Sequence, residues 1–129
     1  MGCEFHTSDN GDLDGFWQLS AVDTLATGGT ADVRAEQWSW SVQGHLLEIR
    51  RSKVVPYDVL FRFRHTADSL IISEPYVSNR DSGDIKIVDA ALLEDFGIYH
   101  TEEHFRVLNL NGSRMSLQSD RLRLYFRRY

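Results

Sequence analysis

Apolar and polar side chains alternate along most of this chain, in short runs that are separated by glycine, proline and polar residues. The strongest run extends from Tyr57 to His65, with aromatic or β-branched side chains at nearly every second position. Successive side chains of a β-strand point to opposite faces, so this alternation predicts strands with one buried face. The predicted strands are 15–24, 37–42, 46–50, 57–65, 69–74, 85–88, 105–108, 115–118 and 121–129.

One segment has the composition of a helix instead. Asp89 can cap its first turn, the alanine- and leucine-rich residues that follow favour a helix, and Gly97 can end it. Leu92, Leu93 and Phe96 would form the buried stripe of this helix. We expect it to plug one end of the β-structure or to pack on its side.

The connections between the strands have distinct compositions. Residues 25–32 are small and polar with two adjacent glycines, which predicts a long loop rather than a tight hairpin. Pro75 predicts the end of the strand before it, and 79–84 is a polar turn. Asn111-Gly112-Ser113 fits a glycosylation pattern, but its position between two alternating runs favours a hairpin turn.

Short strands at close spacing, without an internal repeat, predict an antiparallel meander. The first strand follows a polar leader and the last strand runs to Tyr129, so we expect a closed barrel in which these two strands meet. The fold class is therefore all-β, an eight- to nine-stranded antiparallel barrel with one short helix. At eight strands the interior is just wide enough to be filled by side chains or to hold one small ligand.

The Gly15-x-Trp17 start and the arginine-rich last strand resemble the lipocalin-like envelope proteins of Bacteroidetes. The resemblance covers most of the chain from Asp14 onward and implies a lipocalin-like barrel domain over 14–129. In that family a long first loop often lies across the open mouth of the barrel. The resemblance thus makes the loop at Gly28-Gly29 a candidate lid.

The resemblance also implies a structural role for Trp17. The early tryptophan of a lipocalin packs at the closed end of the barrel, under an arginine from the last strand. Arg121, Arg123 and Arg127 are the candidates for that arginine here. A cation over an indole face stabilises a fold by roughly 0.5 to 2 kcal/mol, so this contact would hold the barrel together without chemistry.

The charge distribution limits the partners. A chain of 129 residues with net charge −5 fits one domain, and residues 1–33 carry six acidic side chains and no Lys or Arg. This acidity argues against nucleic-acid binding, which depends on a basic surface. The arginines of the last strand alternate with Leu122, Leu124 and Phe126, so we interpret them as the outer face of that strand.

Cys3 is the single cysteine, so no internal disulfide forms. Gly2-Cys3 precedes a polar run without strand or helix period, as at the start of a mature bacterial lipoprotein, with Met1 added after removal of a signal peptide. We predict a lipid on Cys3, a flexible tether over 1–13, and a lipid-anchored protein of the bacterial envelope, in the periplasm or at the outer-membrane surface. The alternative is a free thiol near a frayed terminus.

Aromatic residues provide the candidate ligand site. If the barrel holds a cavity, its lining would include Trp38, Trp40, Tyr57, Phe61 and Phe63. The alternative is that these side chains are simply the core. No carboxylate pair, serine elbow or phosphate-binding glycine loop is present in the sequence, so we assign no catalytic residue and expect no cofactor.

One motif indicates metal chemistry. His100-x-x-Glu103-His104 matches the pattern of inverted zinc metalloproteases, whose two histidines lie one helical turn apart. Gly97 ends the predicted helix just before it and a strand follows, so the two histidines are not expected to share a helical face. We predict no metal site and no enzyme, with a zinc hydrolase through these three residues as the residual alternative.

The leading interpretation is a cell-envelope lipoprotein whose barrel binds a small hydrophobic or amphipathic ligand. Its membrane contact would be the lipid anchor, and the sequence leaves the oligomeric state open. The alternative is a filled barrel that serves as an interaction or scaffolding module of an envelope complex, without a small-molecule ligand.

Overall fold

The computed structural model describes residues 10–79 and 83–129, which form ten β-strands and three short 3₁₀ segments. The 3₁₀ segments are Gly11–Leu13, Arg34–Glu36 and Ala90–Phe96. The strands are β1 (Gly15–Thr24), β2 (Gly29–Asp32), β3 (Trp38–Gln43), β4 (Leu46–Arg51), β5 (Val59–His65), β6 (Ser69–Asn79), β7 (Gly83–Lys86), β8 (Glu103–Leu110), β9 (Arg114–Gln118) and β10 (Leu122–Arg128).

Eight of these strands close into an antiparallel barrel. Its order is β1-β3-β4-β5-β6-β8-β9-β10, and β10 pairs with β1 to complete the ring. The closing register runs from Trp17 opposite Arg128 to Thr24 opposite Leu122, with an irregularity between Leu19 and Ala21. The expected all-β barrel with meeting terminal strands is confirmed. The two remaining strands, β2 and β7, extend β1 and β6 as hairpins.

Side chains fill the interior of the barrel. Alternate positions of the ring strands are buried, as the two-residue period requires, and they form one continuous hydrophobic core. The largest side chains with less than 2% exposure are Trp17, Trp40, Phe61, Phe96, Phe105 and Phe126. Six buried aromatic residues occupy much of the room that an eight-stranded barrel provides.

An arginine and a tryptophan seal the end of the barrel where β1 begins, here called the closed end. The guanidinium carbon of Arg128 lies 4.2 Å from the centre of the Trp17 ring. The same guanidinium donates hydrogen bonds to the carbonyl oxygens of Asp12, Asp14 and Gly112. The arginine over Trp17 is therefore Arg128, and the prediction of one of three earlier positions was wrong. Arg128 continues the inward phase of β10, whereas the outward phase carries Arg123 and Arg127.

Residues 10–13 belong to this end rather than to a tether. The 3₁₀ turn Gly11–Leu13 buries Leu13, whose carbonyl oxygen accepts a hydrogen bond of 2.9 Å from Nε1 of Trp17. The side-chain amide of Asn10 donates a hydrogen bond of 2.9 Å to the carbonyl oxygen of Gly44. The barrel domain thus includes residues 10–13, and residues 1–9 of the predicted tether lie outside the described residues.

The predicted helix is present as the 3₁₀ segment Ala90–Phe96, which we call the plug segment. Asp89 caps it by accepting a hydrogen bond of 3.0 Å from the Ala91 amide, and Gly97 ends it with φ of 76°. Leu93 and Phe96 are fully buried, but Leu92 is 53% exposed, so the buried stripe is narrower than expected. The segment covers the end of the barrel opposite the closed end, which we call the mouth.

Two predicted connections differ from the structure. Residues 25–32 are a β-hairpin instead of a long loop, because Gly29–Asp32 pairs with the second half of β1. Gly28, with φ of 73°, makes the tight turn possible. Pro75 does not end its strand, since β6 continues to Asn79. The register of β6 against β5 is irregular beside Pro75, a place where a missing N–H is tolerated. The polar turn at 79–84 falls largely outside the described residues.

Replacement of Gly15 by alanine tests the closed end. Gly15 has φ of 121°, and a Cβ there would overlap Nη1 of Arg128. We expect Gly15→Ala to lower the free energy of unfolding by roughly 2–4 kcal/mol, from backbone strain and displacement of the arginine. Gly28→Ala is the control, because it also has a positive φ but meets nothing within 4 Å. Equal losses of stability in chemical denaturation would contradict the described packing of Arg128.

Candidate functional site

Three of the five predicted ligand-lining residues are core side chains in the structure. Trp40 and Phe61 have 0% exposure, and Trp38 has 5%. The Trp40 ring makes edge contacts with Phe105 and Phe126, at centroid distances of 5.5 and 4.8 Å. Side chains packed in this way leave no surface open to a ligand, so the geometry favours the core interpretation for these three.

The other two residues lie nearer to the surface. Tyr57 is partly buried and its ring centre lies 6.1 Å from that of Phe96 in the plug segment. Phe63 is partly buried at the other end of β5 and packs against the core. The five residues therefore do not converge on one cavity, and their role as ligand contacts stays a prediction.

An open depression lies at the mouth, and we call it the mouth groove. Its volume is about 550 Å³, within the range of roughly 300–1,000 Å³ that is typical of small-molecule sites. The walls come from the β1–β2 hairpin, the β9–β10 turn and the segment that follows the plug. The lining residues are Thr24, Leu25, Ala26, Tyr99, Asp120, Arg121 and Leu122.

Backbone hydrogen bonds position the hairpin wall of the mouth groove. The Leu25 amide donates to the carbonyl oxygen of Arg121 at 3.0 Å, which ties the hairpin to the β9–β10 turn. Asp23, which pairs with Thr30 near the turn of the hairpin, accepts hydrogen bonds from the Thr30 hydroxyl at 2.6 Å and from the Tyr125 hydroxyl at 2.8 Å. The wall is thus attached both to β2 and to β10.

The mouth groove combines apolar walls with charged groups. Leu25 is 37% exposed, and Ala26 and Leu122 add further apolar surface. The guanidinium carbon of Arg121 lies 4.6 Å from the centre of the Tyr99 ring. Among the described residues no ion pair joins Arg121 to a carboxylate. The groove therefore offers an apolar surface with a cation at its edge.

A histidine and two carboxylates lie beside the mouth groove. His100 Nε2 is 3.2 Å from Oδ2 of Asp120, and one ligand atom from each of His100, Glu103 and Asp120 lies within 4.8 Å of the others. Glu103 is only 2% exposed, and its Oε1 accepts a hydrogen bond of 2.9 Å from the Tyr99 amide. Burial raises the pKa of Glu103 above its ordinary value.

The predicted motif residue His104 does not join this cluster. His104 and Glu103 are neighbours on β8, so their side chains point to opposite faces of the strand. His104 pairs with Glu102 at 3.0 Å on the exposed face. His100 lies outside any helix or strand and His104 lies in a strand, so they do not share a helical face, as expected.

The comparisons with known proteins agree with this architecture. The family model of the lipocalin-like domain matches residues 1–129. The chain belongs to the lipocalin-like domain family. This confirms the family that the Gly15-x-Trp17 start and the last strand indicate.

Solved structures share the fold of this lipocalin-like domain at low sequence identity. A lipocalin-like protein from Bacteroides uniformis is 19% identical with a TM-score of 0.67, over 92% of this chain and 100% of that one. An uncharacterized protein from Bacteroides eggerthii is 17% identical with a TM-score of 0.63, over 90% of this chain and 98% of that one. No curated protein sequence matches the chain.

Sequence reasoning missed most of the residues that line the mouth groove of this lipocalin-like domain. Tyr99, Asp120 and Arg121 come from two separate connections, and no spacing in the sequence relates them. The predicted lid segment does supply Leu25 and Ala26, although as a hairpin. The proposed lipid site, Cys3, lies outside the described residues. None of the helical segments in the described part has the length and hydropathy needed to cross a bilayer.

The titration of Asp23 tests how the hairpin wall is held. Hydrogen bonds from Thr30 and Tyr125 lower the pKa of Asp23 below its ordinary value of 3.8. Because the folded-state pKa is the lower one, the stabilisation is fully present above pH 3.8 and is lost as the pH falls through the folded pKa. We expect a carboxyl NMR titration midpoint below 3.8 that rises in Tyr125→Phe. Tyr129→Phe is the control, and an equal midpoint in the two variants would contradict the Tyr125 contact.

Proposed function

We propose that this lipocalin-like domain is a binding protein that holds a small hydrophobic or amphipathic ligand in the mouth groove and catalyses no reaction. The observation that carries the proposal is the combination of apolar walls at Leu25, Ala26 and Leu122 with the guanidinium of Arg121, which forms no ion pair with any carboxylate of the described residues. A ligand with an apolar body and a polar end matches this arrangement.

The packing of the barrel supports the mouth rather than the interior as the binding place. Entry of a ligand between the β-strands would displace fully buried aromatic side chains such as Trp40, Phe105 and Phe126. Displacement of one large core side chain costs several kcal/mol, which exceeds what a small ligand recovers from an equal apolar contact. The mouth groove requires no such displacement, because it is open to solvent.

The polar end of the ligand would meet Arg121. The stacking of its guanidinium on Tyr99 restrains the side chain without using its hydrogen-bond donors on another protein group. A carboxylate or sulfonate group of the ligand would accept hydrogen bonds from two of these N–H groups at once. Asp120 also lines the groove, and its negative charge repels an anion placed next to it. Its contact with His100 holds Asp120 on the side of the groove that faces the histidine. The arrangement thus favours an anionic or strongly polar head group on the Arg121 side.

We further propose attachment to the bacterial envelope by a lipid on Cys3, with contact to the membrane through this anchor. The position of Asn10, the first described residue, supports an orientation in which the mouth faces away from the membrane. Asn10 and Gly15 lie at the closed end, whereas Thr24 and Leu122 lie at the mouth, one strand length away. A strand of ten residues spans roughly 30 Å, so an anchor before Asn10 would leave the mouth groove accessible to diffusing ligands.

A second candidate function is an interaction module without a small-molecule ligand. The filled interior favours it, and so does an aromatic pair on the outer wall at the closed end. Phe16 and Tyr129 are 62% and 69% exposed, and the Tyr129 amide donates to the carbonyl oxygen of Phe16 at 3.1 Å. Exposed aromatic side chains are common anchors of protein interfaces.

Dye binding separates the two candidates. We expect anilinonaphthalenesulfonate, an amphipathic anionic dye, to bind the intact protein and to be displaced by dodecanoate. Leu25→Glu places a negative charge in the apolar wall, where it repels the anionic dye, and Arg121→Gln removes the cation that attracts the dye. Each variant should weaken dye binding about tenfold or more, which corresponds to about 1.4 kcal/mol. Fluorescence titration gives the dissociation constants.

The controls alter comparable residues away from the mouth groove. Leu108 is 42% exposed, close to the 37% of Leu25, so Leu108→Glu controls for Leu25→Glu. Arg114→Gln controls for Arg121→Gln, since Arg114 is an exposed arginine outside the groove lining. Equal dye affinity in groove and control variants, or no dye binding at all, would reject the mouth groove as the site and favour the interaction module.

Mass spectrometry tests the proposed anchor. We expect protein isolated from the membranes of a lipoprotein-processing bacterium, expressed with a signal peptide ahead of the present chain, to carry a diacylglyceryl group on Cys3. Cys3→Ser should abolish the mass increase and release the protein from the membrane fraction. An unmodified thiol in the wild-type protein would contradict the anchor without affecting the proposal for the mouth groove.

A further inference from the structure

Three potential metal ligands meet at the mouth from separate parts of the chain. His100 precedes β8, Glu103 is its first residue, and Asp120 lies in the turn between β9 and β10. Their nearest ligand atoms lie within 4.8 Å of one another, and the pair formed by His100 and Asp120 is already at 3.2 Å. In a tetrahedral zinc site, neighbouring ligand atoms lie roughly 3.4 Å apart. Small rotations of the two exposed side chains would complete that geometry around the fixed Glu103.

The cluster contains a buried carboxyl group that no described Lys or Arg pairs with. Glu103 is 2% exposed, and among the described residues no Lys or Arg forms an ion pair with it. Taking an ionised carboxylate out of water is costly unless a counter-charge compensates it. His100 carries at most one positive charge and already pairs with Asp120. A divalent cation would neutralise both carboxylates at once.

The surrounding contacts orient Glu103 as a metal site requires. The Tyr99 amide donates to Oε1 of Glu103 at 2.9 Å, which restrains the carboxylate. Hydrogen bonds of this kind to ligating side chains are typical of metal sites and tune their affinity. One imidazole nitrogen with two carboxylate oxygens suits zinc and its first-row neighbours, whereas calcium and magnesium prefer oxygen ligands alone.

We propose that His100, Glu103 and Asp120 bind a divalent transition-metal ion, with Zn²⁺ as its representative, beside the mouth groove. Three protein ligands leave at least one coordination position for water or another small donor. The site differs from the inverted zinc-protease pattern of the sequence, because Asp120 takes the place that His104 would occupy. The proposal does not depend on a ligand in the groove, although Asp120 lines both.

Zinc and cobalt binding test the proposal on the intact chain. After dialysis against a chelator, we expect the protein to bind about one Zn²⁺ per chain in calorimetry. Bound Co²⁺ should give the visible absorption bands of a tetrahedral or similar low-symmetry site. Added Zn²⁺ should displace the Co²⁺ and abolish these bands. His100→Ala and Asp120→Ala should each weaken zinc binding at least tenfold. Second-sphere and ligand losses at known sites have effects of this size or larger.

The pair formed by His104 and Glu102 provides the matched control. Its side chains lie 3.0 Å apart and are exposed, much like His100 and Asp120, but no buried carboxylate accompanies them. His104→Ala should therefore leave zinc affinity and the cobalt spectrum unchanged. Failure of the wild-type protein to bind stoichiometric zinc, or an equal loss in His104→Ala and His100→Ala, would overturn the proposal.

Glu103→Gln separates metal binding from folding. The amide keeps the shape of the side chain and an oxygen that accepts the Tyr99 hydrogen bond, but it removes the charge. We expect a folded variant with at least tenfold weaker zinc affinity and no rise of melting temperature on addition of zinc. If Glu103→Gln binds zinc as the wild-type protein does, the buried carboxylate is not a ligand and the proposal fails. Should this variant not fold, the two variants of the exposed ligands still decide.

Discussion

The pairing of β1 with β10 is the constraint on which the rest of this structure depends. The eight ring strands form seven neighbouring antiparallel pairs from β1 to β10. An eighth pair, between β10 and β1, removes the two open edges of this sheet. The closing register also fixes which side chains point inward, because a shift by one residue would turn Leu124 and Phe126 outward. Closure brings Arg128 opposite Trp17, and the positive φ of Gly15 together with the close approach of the arginine disfavours a side chain at that position.

Alternation in the sequence predicts most of this architecture, because each ring strand has one face in water and one in the core. Prediction from the sequence fails at two connections where the same residues are compatible with more than one local structure. At Gly28-Gly29 the composition of a loop also suits a tight hairpin, and Pro75 stands at an irregularity where its missing N–H costs little. The arginine over Trp17 was predictable in principle. Leu122, Leu124 and Phe126 define the inward phase, and Arg128 is its next member.

The candidate sites resist prediction for a different reason. Periodicity reports on neighbours within one element, whereas the mouth groove and the proposed metal site join residues from connections that meet only when the ring closes. His100 and Glu103 are close in sequence, but Asp120 reaches them across two strands. His104 matches the sequence motif, but in β8 its side chain points to the face opposite that of Glu103. The motif thus shares His100 and Glu103 with the proposed cluster, whereas its third residue lies apart from it.

The aromatic content of the chain decides where function can reside. An eight-stranded ring has room for either a ligand or a set of large side chains, and the six fully buried aromatic residues use that room. Chemistry is then left to the connections at the ends of the barrel. The closed end is occupied by Arg128 and its three carbonyl acceptors, whereas the mouth combines exposed Leu25, the cation of Arg121 and the buried Glu103. Connections held on a rigid scaffold are where binding residues accumulate, and the mouth combines a depression of about 550 Å³ with polar groups that a ligand can contact.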